Sequence, residues 1–414
     1  MKKKGLFFAL LSAMFLLFSC PAQEKPATLT CCASFSEARL ASGPEVTWTI
    51  DTFYTQTGNR QKDKTVYDQA PVDWAAYEKL WLKDLPRATP DEPLLAAYSE
   101  NKAKDFLDDT SLKWARQNRC ATCHTTVAYL MARPLVGQSD DRAAWNEVRE
   151  TVKNFANEGI SRKAPLAPFI VGPTVAALTV GDTLSGRELQ PDTRALFDFM
   201  WASQGADGAW VIPQNAGNLP FLERDPHYLA FMVALAVGYA PGRYYEDPRA
   251  RAGFAKLQGF IRNNLPSNAH DKAVLLWASV RTPGLLNGQE RAEYVRSLLA
   301  LQKEDGGWAL PSLGTWPRHD GAANDPQGDS DGYATSLAAL ALCQQGYSAK
   351  DPAVRRAVTW IEQHQRASGR WYTRSLYSDR FQNYLSNMGT AYAVMALSSC
   401  RATARGDTSY LRHR

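Results

Sequence analysis

Gln302-Lys303-Glu304-Asp305-Gly306-Gly307-Trp308 is one of three copies of a Gln-x-x-x-Gly-x-Trp pattern; the others run from Gln204 to Trp210 and from Gln365 to Trp371. Each copy follows a stretch with an apolar stripe at helical spacing, as at residues 294–301 and 354–361. After a loop comes a second, more apolar stretch: residues 228–235, 333–340 and 390–397. A helix, a Gly-bearing loop and a second helix at a repeated phase describe a series of helical hairpins. The glycine is expected at a helix C-terminus that needs a left-handed residue. The Gln then bonds loose carbonyls and the Trp covers the helix end. Less regular copies fill the gaps: 112–117 with 126–132, 153–158 with 174–178, and 254–263 with 272–277. Six hairpins therefore fit between residues 101 and 400.

This pattern resembles the QW repeat of squalene–hopene cyclases and related prenyltransferase-type proteins, over roughly residues 100 to 400. The resemblance implies an all-α fold: an (α/α)6 toroid of six helical hairpins, with outer and inner helices alternating around a central cavity, preceded by an irregular N-terminal extension. In that family the cavity takes a hydrophobic small molecule. Asp329-Ser330-Asp331-Gly332 looks like the D-x-D-D acid motif of those cyclases, which implies Asp331 as the catalytic, protonating residue. Gly332 stands where the fourth carboxylate belongs, and the chain supplies about one barrel where those enzymes use two. A terpenoid cyclase or a prenyltransferase-like enzyme is thus one class of function.

The first hairpin carries Cys120-Ala121-Thr122-Cys123-His124. C-x-x-C-H is the spacing at which two thiols bond the vinyl groups of one haem c while the His takes the iron. With the repeats superposed, His124 opens the first inner helix. The same phase holds Pro173, His227, His270, Asp331 and Met388. Taken singly, Asp or His at a helix start is an ordinary cap. Together they place several ligand-type side chains at one end of a shared cavity. In a closed ring hairpin six neighbours hairpin one, so Met388 is the candidate second iron ligand beside His124. His227 is intermediate in distance and His270 lies across the ring. A zinc staple on Cys120, Cys123, His124 and a fourth ligand such as His227 would instead make a non-catalytic binding module.

Compartment bears on that choice. Lys2-Lys3-Lys4 is a basic n-region and Leu6 to Phe18 an apolar run of export-signal length. Ser19-Cys20 at its end resembles the bacterial lipoprotein signal, which implies removal of residues 1–19 and lipid on Cys20. A plain secretory signal cut near Ala22 is the alternative. Either way the expected location is the periplasmic side of the cell envelope, with a membrane anchor if Cys20 is lipidated and a periplasmic redox protein as partner. The chain has 47 Lys and Arg against 42 Asp and Glu; without Lys2–Lys4 the count is 44, a net charge near +2. That is no footprint for nucleic acid.

Residues 20–100 read as tether and extension, with a weak strand pattern at 45–54, and 401–414 as a basic tail. No second apolar run is counted as long enough to span a membrane. Cys31 and Cys32 are adjacent in a region of little pattern. Cys343 and Cys400 sit at equivalent turns of adjacent inner helices; buried free thiols are expected there, with a disulfide as the alternative.

Overall fold

The computed structural model describes residues 87–137, 141–164, 167–210, 226–316, 318, 322–376 and 382–406. Cys20, Cys31, Cys32, the 45–54 stretch and the signal segment lie outside them. Among the described residues the protein is all-α, without strands, and one isolated bridge pairs Leu94 with Arg366. The helices are α1 (Glu100–Asn118), α2 (Ala128–Ala132), α3 (Ala143–Ser161), α4 (Ala167–Leu184), α5 (Pro191–Ala202), α6 (Pro226–Tyr239), α7 (Pro248–Asn263), α8 (Ala269–Arg281), α9 (Gly288–Leu299), α10 (Leu310–Leu313), α11 (Gly332–Gln344), α12 (Pro352–Gln363) and α13 (Gln382–Ala404).

Apart from the short α10, the helices are of two kinds. α1, α3, α5, α7, α9 and α12 bury one stripe; in α12 it is Val354, Ala357, Trp360 and Ile361, the spacing of a single helix face. α2, α4, α6, α8, α11 and α13 are apolar nearly all round, and α11 is buried from Gly332 to Gln344. Helices of that composition belong in a core. α2 packs on α4, α4 on α6, α6 on α8, α8 on α11, α11 on α13, and α13 on α2. The amphipathic helices lean on this core, α3 on α4, α9 on α8, and α12 on α11 and α13. α4 is long and apolar enough to cross a membrane by length and composition, contrary to the sequence reading. Most of it is buried inside the protein, which accounts for its composition. Its one carboxylate, Asp182, is buried against Arg149 at 2.7 Å.

The Gln-x-x-x-Gly-x-Trp loops make the same contacts three times. Gln204 Nε2 donates to the carbonyls of Gly208 and Gly253, Gln302 to those of Gly306 and Ala353, and Gln365 to those of Gly369 and Ser99. Trp210, Trp308 and Trp371 each donate from Nε1 to the preceding helix, at Met200, Leu298 and Ile361. The glycines do not sit at the helix ends, as expected from sequence, but several residues beyond them. There Gly208, Gly306 and Gly369 have φ of +90°, +91° and +99°. A Cβ on Gly208 would lie 2.1 Å from the Lys256 carbonyl oxygen, and one on Gly369 the same distance from that of Lys102. Left-handed backbone and close approach to the next amphipathic helix both demand glycine.

Other sequence expectations are corrected. Pro173 and Met388 lie inside α4 and α13, which start earlier than the repeat phase implies. α13 continues to Ala404, past the expected boundary at 400. Cys343 and Cys400 are a disulfide joining α11 to α13, not free thiols. Their Cα atoms are 5.1 Å apart, a bridgeable distance. Of the N-terminal extension, the described part clips onto the last repeat: Ala88 N–H donates to Asn383 Oδ1 at 2.6 Å, and Glu92 pairs with Arg370 at 2.7 Å.

Candidate functional site

α1 ends at Asn118 with Arg119 in the left-handed region (φ 48°), which turns the chain inward. Cys120 follows, fully buried, and Trp114 Nε1–H points at its sulfur at 3.3 Å. Cys120 is disulfide-bonded. The chain then enters α2 through a π-helical turn, Cys123–Val127, closed by Val127 N–H on the Thr122 carbonyl at 3.0 Å. Such turns insert one residue into the helical repeat and recur at functional sites. The side chain of Cys123 lies outside the described residues.

His124 is buried in this turn. Its ring stacks on Tyr384 of α13 (centroids 4.2 Å, planes 28° apart) and meets Trp114 edge-on at 5.4 Å. Nδ1 is 2.8 Å from Thr125 Oγ1, which also accepts from Asn387 Nδ2 of α13 at 3.2 Å. Nε2 has no hydrogen-bond partner among the described residues. Burial lowers the imidazole pKa to about 3, so the ring is neutral at any physiological pH. A neutral imidazole with one nitrogen tied to an oxygen and the other unengaged is the form that binds a metal. In donor chemistry the residues fit the iron-bound His of a haem c. The thioether role of Cys120 requires its reduced thiol.

The other residues read from sequence as ligands or acid have the following surroundings. Met388 is buried on α13 beside Asn387, but the α13 residue stacked on His124 is Tyr384. His227 is half-buried, with ring contacts to Phe231 and Phe260. His270 is buried between Asp271 (Nδ1 to Oδ1, 2.8 Å) and Tyr333 (Nε2 to Oη, 2.9 Å). Asp331 is the N-cap of α11. Its carboxylate accepts from Leu310 N–H, Ala334 N–H and the Thr373 hydroxyl. Burial outweighs these bonds and raises its pKa to about 6. Among the described residues no three His, Cys, Asp or Glu side chains group as a metal site. A disulfide sulfur is no zinc ligand either, because zinc takes thiolate.

Sequence reasoning missed Trp114, Thr125, Tyr384 and Asn387. The available signal was Tyr384, Asn387 and Met388 at helical i, i+3, i+4 spacing, which share one face. No family model matches this chain, and no curated protein matches it in sequence.

Proposed function

We propose that this protein is an exported, lipid-anchored α/α toroid that holds one haem c through Cys120, Cys123 and His124 and passes electrons in the periplasm. The carrying observation is C-x-x-C-H with a buried, neutral His whose Nδ1 is fixed and whose Nε2 has no hydrogen-bond partner among the described residues. Support for the toroid comes from the neighbour order of the core helices, in which α13 returns to α2. Support for export comes from the signal-like N-terminus and from the Cys343–Cys400 disulfide, a bond that persists in oxidising compartments.

When bound, haem supplies a one-electron couple. The chain's residues do the rest. Thr125 holds the proton on Nδ1 of His124 and leaves the Nε2 lone pair for the metal. Trp114 and Tyr384 shield the imidazole from bulk water. Cys120 and Cys123, as free thiols, would supply the two sulfurs that hold the haem. With haem held there, the protein would carry one electron at a time between redox partners without any bond in the chain changing.

The test is a pyridine haemochrome spectrum of protein made with the c-type maturation machinery. A c-type spectrum is expected, lost when Cys120→Ser and Cys123→Ser are combined. A colourless wild-type protein sinks the reading, and stoichiometric zinc in its place would point to the metal-staple module. The terpenoid-cyclase reading, with Asp331 as acid and an isoprenoid in the cavity, rests on a carboxylate that already accepts three hydrogen bonds from the protein. A cyclised product from squalene would restore it.

A further inference from the structure

Building on the haem reading, we propose that Asn387, acting through Thr125, is a positioning residue that sets how strongly His124 donates to the metal, and so sets the reduction potential. A hydroxyl oxygen has two lone pairs. On Thr125, one is taken by Asn387 Nδ2–H at 3.2 Å and the other by His124 Nδ1–H at 2.8 Å, in the tautomer that leaves Nε2 free to ligate. All three residues are buried, so bulk water does not stand in for a missing member.

The acceptor on the far nitrogen of a metal-bound His controls the basicity of the near one. Donation from Asn387 draws electron density from Oγ1 and weakens it as an acceptor. Removing the amide therefore strengthens Nδ1–H···Oγ1, makes His124 a better donor and favours the oxidised metal. Removing Oγ1 itself strips Nδ1–H of its acceptor and favours the reduced metal. The two changes act with opposite sign. A purely structural role for either residue has no reason to do that. Tyr384, stacked on the ring, holds its plane while the hydrogen-bond chain is altered. Asn387 arrives from the sixth hairpin, 262 residues along the chain, so packing of α13 on the first hairpin is part of the tuning.

The experiment is a potentiometric titration of the haem-loaded full-length protein and of Asn387→Leu, Thr125→Val and Thr125→Ser, with haem per chain measured in each. Haem per chain normalises each titration, so that any lower loading of a variant does not enter the measured potential. At a fixed poise the oxidised-to-reduced ratio should rise in Asn387→Leu and fall in Thr125→Val, each by several-fold and up to about tenfold, the last equal to about 59 mV for one electron. Thr125→Ser, which keeps the hydroxyl, should titrate like wild type. If Asn387→Leu does not fold, Asn387→Ala is read for the same sign. Shifts of the same sign, shifts below about twofold, or a Thr125→Ser shift as large as that of Thr125→Val overturn the proposal. Absence of haem from the wild type is a different outcome: it overturns the underlying reading, and this inference with it.

Discussion

Gln365 satisfies both backbone groups of Ser99, 266 residues earlier in the chain: Ser99 N–H donates to Oε1 at 2.7 Å, and Nε2 donates to the Ser99 carbonyl at 2.9 Å. Ser99 is the N-cap of α1 and Gln365 closely follows α12, so one amide ties the end of α12 to the start of α1. Leu95 N–H to the Gln365 carbonyl and Ala367 N–H to the Pro93 carbonyl extend the seam.

Gln365→Ala leaves Ser99 N–H and the Gly369 carbonyl without that partner, while the Ser99 carbonyl keeps its bond from Ala103 N–H. Each unsatisfied buried group costs about 1–3 kcal/mol, and with partial access of water the expected loss is about 2–4 kcal/mol. Gln204→Ala, at a half-exposed site, should lose less. Urea unfolding followed by circular dichroism compares the two; equal losses below about 0.5 kcal/mol would mean that water replaces the amide readily.

Gly369→Ala is expected to cost more than an average loop substitution. The left-handed backbone alone costs a non-Gly residue about 1–2 kcal/mol, and the new methyl would meet the Lys102 carbonyl. The total should exceed about 2 kcal/mol, with Gly208→Ala similar. Gly346→Ala is the control: its φ is +93° but nothing lies within 4 Å of the added Cβ, so it should carry the backbone cost only. Thermal melts of the three variants separate the two contributions, and identical losses would rule out the steric one.

Much of the helical order was legible because Gln, Gly and Trp each do one local job that backbone geometry dictates. The disposition of the last hairpin was not. The repeat phase put Met388 at the start of its helix, yet α13 begins at Gln382, so Tyr384 and Asn387 are helical residues on the same face as Met388. Those two residues make the contacts to His124 and Thr125. The π-turn at Cys123–Val127 was also hidden, since one inserted residue leaves no trace in a 3.6-residue period. The pairing of Cys343 with Cys400 depends on the register between α11 and α13, which spacing along one chain does not reveal.

Loss of the Cys343–Cys400 disulfide should be costly, because it joins residues 57 apart in sequence. Loop-closure entropy puts the stabilisation at about 4 kcal/mol for a loop of that length. Cys343→Ser combined with Cys400→Ser should lower the urea midpoint accordingly, and a reductant should then have a much smaller effect on the variant than on wild type. A midpoint that the double change leaves in place would mean that α11–α13 packing suffices without the bond.

Asp331 gives a pH dependence whose sign can be worked out. Burial raises its pKa from 3.8 to about 6 in the folded protein, against hydrogen bonding from Ala334, Leu310, Thr373 and Tyr333 that pulls it down. A carboxyl whose folded value lies above its unfolded one holds its proton more tightly in the native state. Its stabilising contribution is therefore fully present below about pH 4 and is lost as pH rises through about 6. Asp331→Asn removes the titration and keeps a residue that caps helices well. Any change in hydrogen bonding shifts its stability by an amount that does not vary with pH. The quantity to follow is the stability of wild type minus that of Asp331→Asn, from urea unfolding at pH 4, 5, 6 and 7. It should fall by up to about 3 kcal/mol across that range, most steeply between pH 4 and 6. A difference that stays flat, or rises with pH, would mean that the carboxylate is stabilised as an anion by the Leu310, Ala334 and Thr373 donors and that burial is the weaker influence.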